Sequence, residues 1–102
     1  MFKINGERWY IKFVPSFDPS LKLNNKEYTI GTCDDLTKTI YLDNRLKGSQ
    51  LKKVLCHEIV HCAMFSYNVF LTPEQEELLA DLIATYGEEI IYITNKIFKK
   101  LR

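Results

Sequence analysis

His57-Glu58-Ile59-Val60-His61 constrains this chain more than any other feature, because it contains the only two histidines in 102 residues. At 3.6 residues per helical turn, side chains four apart lie about 40° apart around the axis, so in a helix both imidazoles project from one face. Glu58, about 100° from His57, is in reach of anything the pair binds. Two neutral imidazoles one turn apart chelate a divalent cation, and zinc is the usual occupant of such a pair. A neighbouring carboxylate then accepts a proton from water activated there. The pattern therefore asks for a helix at this point of the chain.

The flanking sequence supplies one. Gly48 and Ser49 open a helix predicted from about Gln50 to Tyr67, with Ser49 as N-cap. Leu51, Val54, Leu55, Ile59 and Cys62 read as its core face. A second helix is marked by Thr72-Pro73-Glu74-Gln75, which places Thr at N-cap, Pro at N1 and Gln at N3, a capping box with the favoured proline. Glu74, Glu76 and Glu77 crowd its first turn, and Lys96, Lys99, Lys100 and Arg102 complement its other end. Gly87 is a candidate kink within it.

The first half of the chain reads as strands. Across Arg8–Val14, Trp9, Ile11 and Phe13 alternate with Arg8, Tyr10 and Lys12, and Pro15 ends the run. Ser16–Lys26 reads as loop with a short helical turn near Asp18–Leu21. Strands are expected at Glu27–Thr32 and Lys38–Asp43, joined through Cys33–Thr37. Strands followed by helices indicate an α+β fold: a small, mostly antiparallel sheet packed on two helices, in one domain spanning residues 1–102.

Composition bounds the rest. With 46% hydrophobic residues, disorder is excluded. A net charge of +1 offers no basic face for nucleic acid, so no nucleic-acid partner is expected. Three cysteines are too few for a disulfide scaffold and read as free thiols in a reducing compartment. Met1–Val14 lacks the apolar core of a signal peptide, and no apolar run is long enough for a membrane span. These features lead to the expectation of a cytoplasmic protein with no membrane partner.

A catalytic zinc site takes three protein ligands and leaves one position open. With no third histidine, the remaining ligand is a carboxylate or a thiolate. On the second helix, Glu77, Asp81 and Ala84 share a face beside Ala80, and the small alanines allow close approach to a neighbouring helix. Asp81, one turn beyond Glu77, is placed to accept the second N–H of a ligating histidine. Glu76 is the rival to Glu77, about 100° away around the axis. Cys56 and Cys62 flank the histidines and are the thiolate rivals, although buried free cysteine accounts for both.

Taken together, His57-Glu58-Ile59-Val60-His61 and Glu77-Leu78-Leu79-Ala80-Asp81 resemble the gluzincin pattern, H-E-x-x-H followed by a helix bearing E-x-x-[small]-D. The resemblance spans roughly residues 38–88. It is closest in size to minimal gluzincins and to short metallopeptidase-like proteins of phages and mobile elements, with the ImmA/IrrE group as a neighbour. That group has its glutamate directly before an alanine, where this chain has Leu79 before Ala80. The resemblance implies a zincin-like minidomain with zinc on His57, His61 and Glu77, Glu58 as general base and Asp81 supporting a histidine. It further implies a peptide or protein substrate, lying extended along the strand Lys38–Asp43. The oxyanion-stabilising residue of larger gluzincins has no counterpart by spacing, with Tyr41, Tyr67 and Tyr86 as candidates. The expected function is zinc-dependent hydrolysis of peptide bonds. The alternative is a binding or regulatory protein that keeps the same ligands for stability alone.

Overall fold

In the computed structural model, which describes residues 1–101, Asn5 and Gly6 turn the chain back with φ of 51° and 77°. Two consecutive positive φ values suit the twist of a tight hairpin, and Asn-Gly tolerates them best. The turn pairs β1 (Phe2–Ile4) antiparallel with β2 (Glu7–Val14). β2 is the strand expected from the alternation across Arg8–Val14, whereas β1 is not among the strands expected from periodicity. After β2, Pro19–Leu21 forms a single 3-10 turn capped by Asp18, whose carboxylate accepts the Ser20 N–H. That matches the helical turn expected there.

The next two strands are β3 (Gly31–Asp34) and β4 (Thr39–Asp43). The expected strand at Glu27–Thr32 is therefore displaced toward its C-terminal end. Residues 27–30 run mostly as loop, with one bridge from Tyr28 to Lys22. The sheet order is β1-β2-β4-β3. Both outer pairings are antiparallel, but the central one, β2 with β4, is parallel, so the sheet is mixed. The reason is topological: the long excursion after Val14 returns the chain in the same direction, and β3 is laid down outside β4. Consequently β4 is interior, and β3 is the edge on that side of the sheet, with β1 the other edge.

Two helices follow, α1 (Gly48–Ser66) and α2 (Pro73–Leu101). Ser49 is not the cap of α1, since the cap position falls on Lys47 with no side-chain bond. The start of α2 is as expected: Thr72 Oγ1 accepts the Gln75 N–H at 3.2 Å, and Gln75 Oε1 accepts the Thr72 N–H at 3.1 Å. α2 continues through Gly87 without a break, and Lys99 and Lys100 occupy its last turn. Arg102, expected beside them, lies outside the described residues.

The main core joins Trp9, Ile40, Leu42, Leu46 and Cys62, with Leu51, Val54, Leu55 and Ile59 of α1 packed on it as expected. The Trp9 indole N–H donates to the buried Ser66 hydroxyl at 2.9 Å, and Asn5 Nδ2 donates to the Ser66 carbonyl at 3.0 Å. The hairpin is thereby fastened to the last residue of α1. Ile11 and Phe13 pair with Ile40 and Leu42 but stay 39% and 52% exposed, against the expectation from alternation. α1 packs mainly over β3, so the apolar face of β2 beyond Trp9 is left uncovered. A second cluster, Val60, Met64 and Ala80 with Leu79, joins α1 to α2. Among the described residues, no helix is long and apolar enough to cross a membrane.

Candidate metal centre

The geometry follows from three local decisions in the sequence. His57, Glu58 and His61 all lie within α1. The short connection after Ser66 brings α2 back along it, and fully buried Ala80 lets the two helices approach closely. On the other side, β3 passes tightly against α1 because Gly31 has no side chain. A Cβ there would lie 2.8 Å from Val54 Cγ1 and 3.4 Å from Glu58 Oε2.

These elements bring together His57, His61, Glu76, Glu77 and Asp81, with Glu58 beside them. The Nε2 atoms of His57 and His61 are 3.2 Å apart. Glu77 presents Oε2 to His57 Nε2 at 3.1 Å and Oε1 to His61 Nε2 at 2.9 Å. Behind the rings, His57 Nδ1 lies 3.0 Å from Asp81 Oδ1, and His61 Nδ1 lies 2.5 Å from Glu76 Oε1. Glu76, considered as a rival for Glu77, therefore sits on the opposite side of its histidine, where it orients the ring. The companion role of Asp81 falls on His57.

The donor set fits a cation. A carboxylate only accepts, so each Nδ1 donates to the one behind it, and the Nε2 of each ring is the nitrogen left to face the common point and Glu77. With a cation bound, two Nε2 lone pairs and the Glu77 carboxylate would converge on it from the positions they already hold. Ligands 2.0–2.1 Å from a tetrahedral zinc would stand about 3.3 Å from one another, close to the spacing seen here. Among the described residues, His57, His61 and Glu77 form the group able to hold a metal ion.

Glu58 stands beside this trio without joining it. It is only 7% exposed, and burial pushes its carboxyl above the ordinary range. The nearby His61 and His57 oppose that shift, and Glu77 adds to it. A cleft of about 310 Å³ opens between β3 and the two helices, lined by Gly31, His57, Glu58, Glu77, Asp81 and Ala84 among others. Glu77 is 58% exposed on its outer side, so the trio is approachable from solvent.

The thiolate rivals are not drawn in. All three cysteines are free; Cys62 is buried and Cys56 partly so. Cys62 instead touches Cys33 of β3, Sγ to Sγ 3.3 Å, a pairing across the sheet-helix interface that spacing gives no hint of. The contact, together with burial, pushes the Cys33 thiol up and keeps it protonated. Of the three candidate tyrosines, Tyr41 lines a wider groove that continues from the histidines around β3. Its place in β4 puts it on the sheet face opposite Ile40 and Leu42. Tyr67 and Tyr86 are both more than half exposed.

Set against family models, curated proteins and solved structures, the chain and its fold match none.

Proposed function

We propose that this chain is a zinc-dependent peptide-bond hydrolase of zincin-like, gluzincin-type design, with His57, His61 and Glu77 as ligands. The observation that carries this reading is the pairing of a three-ligand cluster with a buried carboxylate that is not one of the ligands. A purely structural zinc site is closed by four protein ligands and has no use for such a carboxylate. A hydrolytic site leaves one position open and needs a base beside it.

When bound, zinc supplies Lewis acidity, lowering the pKa of a water and polarising the scissile carbonyl. The remaining work falls to the chain. Asp81 and Glu76 hold the two imidazoles in the tautomer that presents Nε2. Glu58, whose carboxyl burial holds above the ordinary carboxylate range, takes the proton from the attacking water and passes it to the leaving amine. The substrate lies extended along β3, whose outer edge has no neighbouring strand among the described residues and whose Gly31 borders the cleft. This moves the substrate strand from Lys38–Asp43, which is interior, to Gly31–Asp34.

The test is cleavage of a broad library of quenched fluorescent peptides by the zinc-loaded protein. Wild type is expected to cleave a subset, and Glu58→Gln to bind zinc equally while losing turnover. Retained cleavage by Glu58→Gln would remove the assigned base. Zinc bound without any cleavage would leave a zinc-stabilised binding protein on the same scaffold.

A further inference from the structure

α2 is longer than the domain it packs against. Its 29 residues span about 43 Å, whereas α1 has 19 residues. Lys52, in the second turn of α1, meets Glu88 of α2 at 3.0 Å, and α2 then runs on to Leu101 past the start of α1. An isolated helical segment of this length is marginal in water unless one face is packed.

The residues of α2 that meet α1 are Leu79, Ala80, Ala84 and Glu88. Centred roughly 100° around the axis from them, and continuing the line of Leu79 toward the C-terminus, lies an apolar row: Ile83, Tyr86, Ile90, Ile93 and Ile97. Its spacing alternates three and four residues, the repeat that keeps a seam facing a second helix. All five are exposed, between 38% and 54%. A contiguous apolar stripe of this kind on a soluble surface marks an interaction site.

Charge identifies what fits it. Glu89 and Lys96 flank the seam on one side, one heptad apart and opposite in sign. Laid antiparallel on a copy of itself, the seam sets Ile90 against Ile93 and Tyr86 against Ile97 of the second copy. In that register Glu89 falls beside Lys96 of the second copy, and the twofold axis repeats the pair. On the other flank Gly87 falls beside Thr94 of the second copy, two small residues that let the axes approach. A parallel pairing would set Glu89 against Thr94 and form no charge pair. We propose that this face of α2 pairs antiparallel with α2 of a second copy of this chain, forming a twofold dimer that leaves the Glu77 and Asp81 side of the helix uncovered.

The experiment is sedimentation equilibrium on the full chain over a micromolar concentration range, for wild type, Glu89→Lys, Lys96→Glu and an equimolar mixture of the two variants. Wild type is expected at twice 12.0 kDa. Each variant alone places like charges together at both symmetric contacts and should weaken the dimer about tenfold. The mixture re-pairs opposite charges and should recover wild-type affinity as a heterodimer. A wild-type monomer throughout the range overturns the proposal, including one that binds vesicles or another protein instead. So does a dimer that ignores both charge reversals, or a mixture no tighter than its components. An Ile93→Glu variant that loses the dimer while keeping its helical circular dichroism separates loss of the seam from loss of the fold.

Discussion

Asp81 and His57 meet at 3.0 Å, carboxylate to Nδ1, on the side of the ring away from Glu77. Glu76 treats His61 in the same way. Because α2 returns antiparallel to α1, the later carboxylate of α2 serves the earlier histidine of α1, and the earlier carboxylate the later histidine. The two rings are thus fixed from behind by the same helix that supplies Glu77 in front. Removing either support frees a ring to rotate. Asp81→Ala and Glu76→Ala are each expected to lower zinc affinity by about 10–100-fold, measured by competition with a chromophoric chelator. Unchanged affinity in both would show that the rings need no such support.

The tight passage of β3 against α1 yields a second expectation. In Gly31→Ala the new methyl would lie 2.8 Å from Val54 Cγ1, and a β-branched valine has little freedom to yield. The variant should lose about 1–3 kcal/mol in urea unfolding. Gly31→Ala with Val54→Ala should recover part of that loss if the clash is its cause.

Ser66 is the hydrogen-bond partner of a fully buried indole. Ser66→Ala strands that N–H away from water and should cost about 1–3 kcal/mol, seen as a lower urea midpoint at an unchanged m-value. A smaller change would show that water reaches Trp9 when the hydroxyl is gone.

Acid sensitivity has an identifiable contributor in Asp43. Its carboxylate accepts the Arg45 N–H and the Ser16 hydroxyl, and the Arg45 backbone contact chiefly holds it below the ordinary 3.8. The unfolded chain therefore takes up this proton first as pH falls. The stabilisation is complete above the unfolded-state pKa and is lost as pH drops through the folded one. Thermal unfolding between about pH 2 and pH 5 should show a shallower pH slope in Asp43→Asn than in wild type. Asp18 is shifted the same way by Ser20, so the slope is reduced, not abolished.

What could be read from the sequence was what is local. The Thr72-Pro73-Gln75 box and the histidine pair depend on neighbours within one turn, and both stand in the structure as the spacing predicts. The β1–β2 hairpin was equally local, signalled by Asn5-Gly6, but three-residue β1 is too short to show periodicity. Strand order was not legible, because whether β4 lies inside or at the edge depends on where the loop after Val14 returns. The exposure of Ile11 and Phe13 likewise depends on which strands α1 crosses. The role of Glu76 was recoverable in principle: the short link between the helices forces them antiparallel, which sets residue 76 opposite 61 and 81 opposite 57. The contact of Cys33 with Cys62 had no such signal.

The most direct test of the account is the metal content of the purified protein by elemental mass spectrometry, beside a His61→Ala control. The geometry predicts about one zinc per chain, lost in the control. A protein that carries no zinc and takes up none on reconstitution would contradict it, and with it the hydrolytic reading of Glu58.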